Sequence, residues 1–201
     1  MTIEKGREWG SRVGSDEVEG LPSATTDRDV AAHPSGTLLR GGDLGLTLGV
    51  TQPRAETASW QRLPIDLLDI TYLDRRGNQH HITSAAWVTL GSFFSGPFVV
   101  LANTSFVKHR RLFPRSHPND GRFEVLEVAA GMSLRQRIAA LRRVRTDSHL
   151  PHPFLTTRNT MTFHATWPAP KRIIVDGRRQ GSAREIMVEI RPDAGFTHVA
   201  T

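Results

Sequence analysis

Residues 172–191 read RIIVDGRRQGSAREIMVEIR. Two runs, Arg172–Val175 and Glu185–Arg191, flank the segment Asp176–Gly181, which begins Asp-Gly and ends on a second glycine. Asp and Gly tolerate the positive φ of a tight strand reversal, so the stretch reads as strand, hairpin connection, strand. In the second run Ile186, Val188 and Ile190 alternate with Glu185, Met187 and Glu189. That period of two predicts antiparallel structure with one face buried and one in water.

The same signature repeats outward from this hairpin. Ile65–Leu73, His81–Leu90, Phe98–Asn103, Phe123–Val128, Thr157–Ala165 and Phe196–Ala200 are short, rich in β-branched or aromatic residues, and mostly bounded by Gly, Pro or Asp. Asp74–Asn78 is a second hairpin-type connection, and Met161, Phe163 and Ala165 alternate with Thr160, Thr162 and His164. Many short strands separated by turn signals predict an antiparallel sandwich or barrel. One helix is expected among them, Ser133–Arg145, with Leu134, Ile138, Leu141 and Val144 on one face and a Ser133/Gln136 capping box at its start. The expectation is that Leu134, Ile138 and Leu141 pack on the sheet while Arg135, Arg137, Arg142, Arg143 and Arg145 are solvated. A basic amphipathic helix of this kind also suits an anionic surface.

Residues 1–60 read differently. A strand-like piece opens Met1–Trp9, and Thr26 caps a short helix, Thr26–Ala32. An apolar run, Thr37–Leu39, leads through Arg40-Gly41-Gly42-Asp43 into a helix marked by Leu44, Leu46 and Leu48, and Thr51–Gln61 reads as a linker or loose helix. The expected architecture is therefore α+β: a small α/β segment over residues 1–60, then a mainly antiparallel β-sandwich with one amphipathic helix over 63–201.

Composition narrows the function. The chain has 201 residues, no cysteine and 38% hydrophobic residues. Disulfides, zinc–thiolate sites and thiol catalysis are excluded, and no apolar stretch approaches the ~20 residues of a bilayer-spanning helix. Acidic and basic residues are mixed through Met1–Val13, which does not read as a secretory leader, so a cytoplasmic location is expected. The net charge of +6 is unevenly spread: residues 1–100 hold 9 basic and 12 acidic side chains, residues 101–201 hold 17 and 8. The basic half attracts phosphate of some kind. Helix-turn-helix, RRM and zinc-finger signatures are absent and there is a single tyrosine, so nucleic acid is not the expected partner.

Three groups of residues could carry chemistry. Gly41, Gly42 and Asp43, between a strand and a helix, could bring backbone N–H groups close to a phosphate; they also fit a plain turn with Asp43 as helix N-cap. In the segment 114–127, PRSHPNDGRFEVLE, Asn119, Asp120 and Glu124 offer oxygen ligands to a hard cation such as Mg²⁺, although Asn-Asp-Gly is also an ordinary turn. His149 and His152, in DSHLPHP, fall on a loop and could reach a phosphate or a metal.

Taken in order, these pieces resemble the C-terminal two thirds of the diacylglycerol kinase/sphingosine kinase-like lipid kinases. Residues 38–50, with Gly41-Gly42-Asp43 and Leu48-Gly49, are similar to that family's strand, Gly-Thr-Gly-Asn-Asp turn and helix. Pro64-Ile65-Asp66-Leu67 resembles the strand that opens its sandwich, and Val100-Leu101-Ala102-Asn103 its strand ending in Asn. Asn119-Asp120-Gly121-Arg122-Phe123-Glu124-Val125 resembles its Asp-Asp-Gly-Leu-Leu-Asp-Val segment, and Asp147-Ser148-His149 its Gly-Thr-His. Ile174-Val175-Asp176-Gly177-Arg178 and Val188-Glu189-Ile190-Arg191-Pro192 resemble its Val-Asp-Gly-Glu strand and terminal hairpin.

The resemblance implies a lipid kinase fold in which Gly41, Gly42 and Asp43 would face ATP, Asn119, Asp120 and Glu124 would hold Mg²⁺, and Asp120 would be catalytic. It also implies what is missing. Few residues precede the Gly41 turn, so the nucleotide domain is expected to be truncated, and the family's glutamate base is Arg178, which cannot accept a proton. Asp176 and His149 are the nearest alternative bases. The expected protein is thus a catalytically impaired lipid-kinase-like protein that binds a lipid or phosphorylated ligand, peripheral at an anionic membrane. The alternatives are an active ATP-dependent kinase completed by a partner chain or homodimer, and a non-catalytic scaffold.

Overall fold

The strands of the sequence reading form, but several of them join or divide. In the computed structural model, which describes residues 8–50 and 59–200, the N-terminal segment contains β1 (Ser11–Val13), α1 (Ser15–Val18), β2 (Ser23–Ala24), α2 (Asp27–Ala32), β3 (Leu38–Leu39) and α3 (Gly42–Thr47). Then come β4 (Trp60–Asp74), β5 (Gln79–Ser84), β6 (Trp87–Ser92), β7 (Ser95–Ala102), β8 (Phe106–Val107), β9 (Arg110–Arg111), β10 (Phe123–Val128), α4 (Leu134–Arg143), β11 (Leu155–Thr160), β12 (Thr162–Val175) and β13 (Arg178–Ala200). The strand-like start of Met1–Trp9 and the linker at Thr51–Gln61 fall almost wholly outside the described residues.

The strands run in the order β1-β4-β13-β12-β6-β7-β10-β11, with β5 beside β4, and β8–β9 form a separate hairpin. Inward residues from distant strands, such as Ile70 on β4, Leu101 on β7, Phe123 on β10 and Val188 on β13, meet in one apolar cluster. The sandwich is therefore one continuous sheet folded over on itself. Its bend lies in β12. Residues Thr162–Thr166 pair with β13, the register breaks between Thr166 and Lys171, and Ile173–Val175 then bridge β13 and β6. Pro168 and Pro170 fall in that break, where a missing ladder N–H does least harm.

Two expected strands, Glu185–Arg191 and Phe196–Ala200, are one: β13 runs through both, with a bulge between Arg191 and Gly195. Conversely, the single strand expected at His81–Leu90 is split into β5 and β6. The Asp176 carboxylate accepts N–H bonds from Ala85 (2.9 Å), Ala86 (3.2 Å) and Trp87 (2.9 Å), so these groups leave the ladder. The turn that presents Asp176 is the hairpin expected from Asp-Gly, with positive φ at Asp176 and Gly177.

In the N-terminal segment α2, β3 and α3 form where the sequence places them, β1, α1 and β2 are additional, and the segment attaches to the same sheet. Thr26 Oγ1 caps α2 by accepting from Asp29 N, and Asp29 bonds back to Thr26 N, a capping box worth about 1 kcal/mol. β3 pairs in parallel with β2 and with β13. Val30, Leu39 and Leu44 pack against Leu63, Ile65 and Val199 in a second apolar cluster.

Helix α4 has the expected cap, with Ser133 Oγ accepting from Gln136 N. Its buried face is a correction. Leu134 and Ile138 are 44% and 39% exposed, whereas Arg137 is 2% exposed. The Arg137 guanidinium donates to the carbonyls of Met132 (2.9 Å), Phe93 (3.0 Å), Ala129 (3.3 Å), Ser92 (3.4 Å) and Gly96. It clamps the β6–β7 hairpin to α4, and the helix turns its Leu134/Ile138 side outward as a result.

Candidate functional site

Between α4 and the outer face of β6, β7 and β10 lies a cavity of about 310 Å³. Phe98, Val100, Leu126, Met132, Leu141 and Leu155 supply its apolar lining, and Phe93 and Phe94 of the β6–β7 hairpin form part of its wall. The volume sits at the lower end of the roughly 300–1,000 Å³ of small-molecule sites. Phe94 is 70% exposed and, with Leu134 and Ile138, accounts for three of the five exposed large apolar side chains of the described residues. The mouth is basic, since Lys108 and Arg110 also line the cavity.

His149 lines this cavity and is 4% exposed, and neither ring nitrogen makes a hydrogen bond with the described residues. Burial holds its pKa below the ordinary histidine value, against smaller opposing contributions from the Leu112 backbone and Asp147. A neutral imidazole there presents one donor and one acceptor to whatever fills the cavity.

At the turn Gly41-Gly42, the two amides that follow the glycines are already taken. Asp27 accepts from Asp43 N (3.0 Å) and Leu44 N (2.8 Å), so a carboxylate caps α3 where a phosphate was expected. Gly42 has φ of 82°, and a Cβ there would overlap Asp27, so the glycine admits the carboxylate. Burial, followed by the charge of Asp176, pushes Asp27 up to about 7. Asp43 in turn accepts from Trp87 Nε1 (2.7 Å), Lys108 N (2.6 Å) and His109 N (2.7 Å). It pins the β8–β9 hairpin, whose turn residues Lys108 and His109 both have positive φ. These three residues do not fit an ATP phosphate at the α3 amides.

The Asn119, Asp120 and Glu124 set does not converge on one point. Asn119 is buried and its amide donates to Asp66 Oδ1 (3.2 Å) and Asp193 Oδ1 (3.0 Å), leaving its own Oδ1 without a hydrogen bond. Asp120 accepts from Arg122 N (3.0 Å), and Glu124 accepts from Asn159 (3.1 Å) on the exposed edge of the sheet. Among the described residues no three His, Cys, Asp or Glu side chains are grouped as a metal site, and the carboxylates of Asp120 and Glu124 are each engaged by a protein donor. The hub is Asp66, which sequence reasoning passed over as part of a strand. It accepts from Gly121 N (2.7 Å), Asp193 N (2.9 Å) and Asn119, and burial raises its pKa to about 6. The only sequence signal was a carboxylate inside an apolar strand run.

The candidate bases are likewise separated. Asp176 is half-buried as a residue, but its carboxylate is enclosed by the Ser84–Trp87 turn and also accepts from Ser84 Oγ (2.8 Å); burial raises its pKa. Asp120 belongs to the Asp66 cluster, and burial raises its pKa too. Of the expected catalytic residues, His149 lines the cavity between α4 and the sheet. Arg178 is exposed at the start of β13.

No protein-family model matches the chain, and no curated protein matches it in sequence. Solved structures do. Two structures of a "putative diacylglycerol kinase" from Bacillus anthracis str. Sterne align with TM-scores of 0.58 and 0.57 at 12% and 11% identity, each covering 81% of this chain and 68% of that one. A third structure, of a diacylglycerol kinase from the same organism, aligns with a TM-score of 0.52 at 12% identity over 81% and 66% of the two chains. The chain thus has the diacylglycerol kinase-like fold that the order of its motifs resembles.

Proposed function

We propose that the protein binds a lipid, with the apolar tail in the cavity between α4 and the sheet, and that it does so without transferring phosphate itself. The observation that carries this reading is the cavity: an apolar lining, a buried histidine whose ring makes no well-formed hydrogen bond with the described residues, and a basic mouth. A kinase must hold nucleotide phosphates in line with the acceptor oxygen. Here the α3 amides are bonded to Asp27, and Arg178 stands where the resembled family has its glutamate base. An anionic membrane is the proposed source of the lipid, since α4 carries four arginines, three of them exposed, and no acid, and exposes Leu134 and Ile138.

Native mass spectrometry of protein purified from its own host is the test, together with displacement of a fluorescent fatty acid by a neutral monoacylglycerol. A retained lipid and competitive displacement are expected. A bare chain that displaces nothing overturns the reading in favour of a scaffold. Transfer of labelled γ-phosphate to any lipid, alone or with a second chain, overturns the non-catalytic part.

A further inference from the structure

Beside the cavity runs a second groove of about 450 Å³, lined by Lys108, His109, Arg110, Arg111, Arg145 and Asp147. It differs from the cavity in chemistry and adjoins it in space: Lys108, Arg110 and Val144 line both. Its single acid, Asp147, pairs with Arg111 at 3.4 Å, so cations are in excess. The arrangement is also held in place. The Lys108 and His109 amides are anchored on buried Asp43, and Val144, buried, fixes the turn that carries Arg145. His149 lies two residues beyond Asp147 and faces the cavity; neither nitrogen makes a well-formed hydrogen bond among the described residues, and the Leu112 backbone is the one polar group that acts on the ring at short range. A buried polar group without a partner is costly, and a ligand oxygen at that point would supply one.

We propose that the ligand is a single-chain lipid bearing a phosphate monoester: tail in the α4 cavity, linkage oxygens beside His149, phosphate among Lys108, Arg110 and Arg145. The proposal rests on the lipid reading of the cavity and names the headgroup that reading leaves open. One chain suits a cavity of this size. A phosphate monoester carries between one and two negative charges and suits arginine donors above any neutral headgroup.

Three probes test it by calorimetry at low salt: a 1-acyl-glycerol 3-phosphate, the monoacylglycerol of the same chain, and glycerol 3-phosphate. The phospholipid is expected to bind at least about tenfold tighter than the neutral lipid, a preference lost in Arg110→Ser/Arg145→Ser and kept in the remote charge-matched control Arg76→Ser/Arg172→Ser. His149→Leu is expected to weaken both lipids severalfold and leave their ratio unchanged. Equal binding of the two lipids, or a preference that survives the double substitution, overturns the phosphate site and leaves the cavity reading standing. Failure of both lipids overturns both. Glycerol 3-phosphate binding as tightly as the phospholipid overturns the lipid assignment in favour of a free phosphoester.

Discussion

Replacing Arg137 by methionine keeps an unbranched chain of similar reach and removes five donors from a buried site. Four of the guanidinium's bonds are 2.9–3.4 Å long, and the fifth is to Gly96. Two effects oppose each other. Burying a guanidinium without a counter-ion is costly, and apolar replacements of buried ionic groups are often neutral. But the acceptors here are backbone carbonyls that remain after the substitution, and each orphaned carbonyl costs about 1–3 kcal/mol. Counting only the two best bonds, to Met132 and Phe93, the carbonyl side wins, and Arg137→Met should lose about 3 kcal/mol. Against a typical total of about 5–15 kcal/mol that is a large share. Arg137→Lys, with three donors on a flexible stem, should lose less, and Arg135→Met, on an exposed residue, less than about 0.5 kcal/mol. Urea unfolding followed by tryptophan fluorescence measures the loss, and amide exchange at residues 93–96 locates it. A loss below about 1 kcal/mol, or unchanged exchange in the hairpin, would refute the clamp.

Three further outcomes follow from the same geometry. Because burial lifts Asp27 from 3.8 to about 7, the folded chain keeps a proton that the unfolded chain releases. The stability this carboxyl contributes is full below about pH 4 and is lost as pH rises through 7, by roughly 1.4 kcal/mol per unit at most. The urea midpoint should therefore fall between pH 5 and 8, and fall less in Asp27→Asn, with Asp66 (about 6) contributing the slope that remains; identical slopes would count against the buried acid. Asp66→Ala should cost about 3 kcal/mol or more and lower Tm by roughly 10 °C, while Asp120→Ala, whose one bond is to Arg122 N, should shift it by under about 3 °C; a reversed order would show that Asp120 is the hub. Phe94→Ser/Leu134→Ser should cut partition onto phosphatidylglycerol vesicles about tenfold or more, since each exposed apolar side chain contributes about 1–2 kcal/mol on burial; unchanged pelleting, or equal pelleting with neutral vesicles, would remove α4 from the membrane face.

What the sequence carried and what it hid divide along physical lines. Alternation and turn residues are local, and they placed the strands, the Asp176-Gly177 hairpin, the Ser133 capping box and the Thr26 cap. Contacts distant in sequence were invisible. The β5–β6 break is made by a carboxylate some 90 residues away, and the cap of α3 comes from Asp27 rather than from the adjacent Asp43. The face of α4 was misread because arginine was taken as a solvated residue, whereas a guanidinium can be buried where enough carbonyls converge. The Asn-Asp-Gly segment drew attention to the right loop, but the carboxylate that organises it, Asp66, lies in a strand whose apolar neighbours concealed it.

β13 has a consequence for how the chain reaches this state. It pairs with β4 along most of its length, with β12 on its other side, and with β3 near its end. The leaf built on β4 cannot be joined to β12, and β3 has no strand of the main sheet to pair with, until residues 178–200 have emerged. During synthesis β4 and β12 must each wait with one edge unpaired until β13 arrives between them, and that closure is non-local and slow. In that interval the long open edge of β4 is the part of the molecule most exposed to mispairing with another chain.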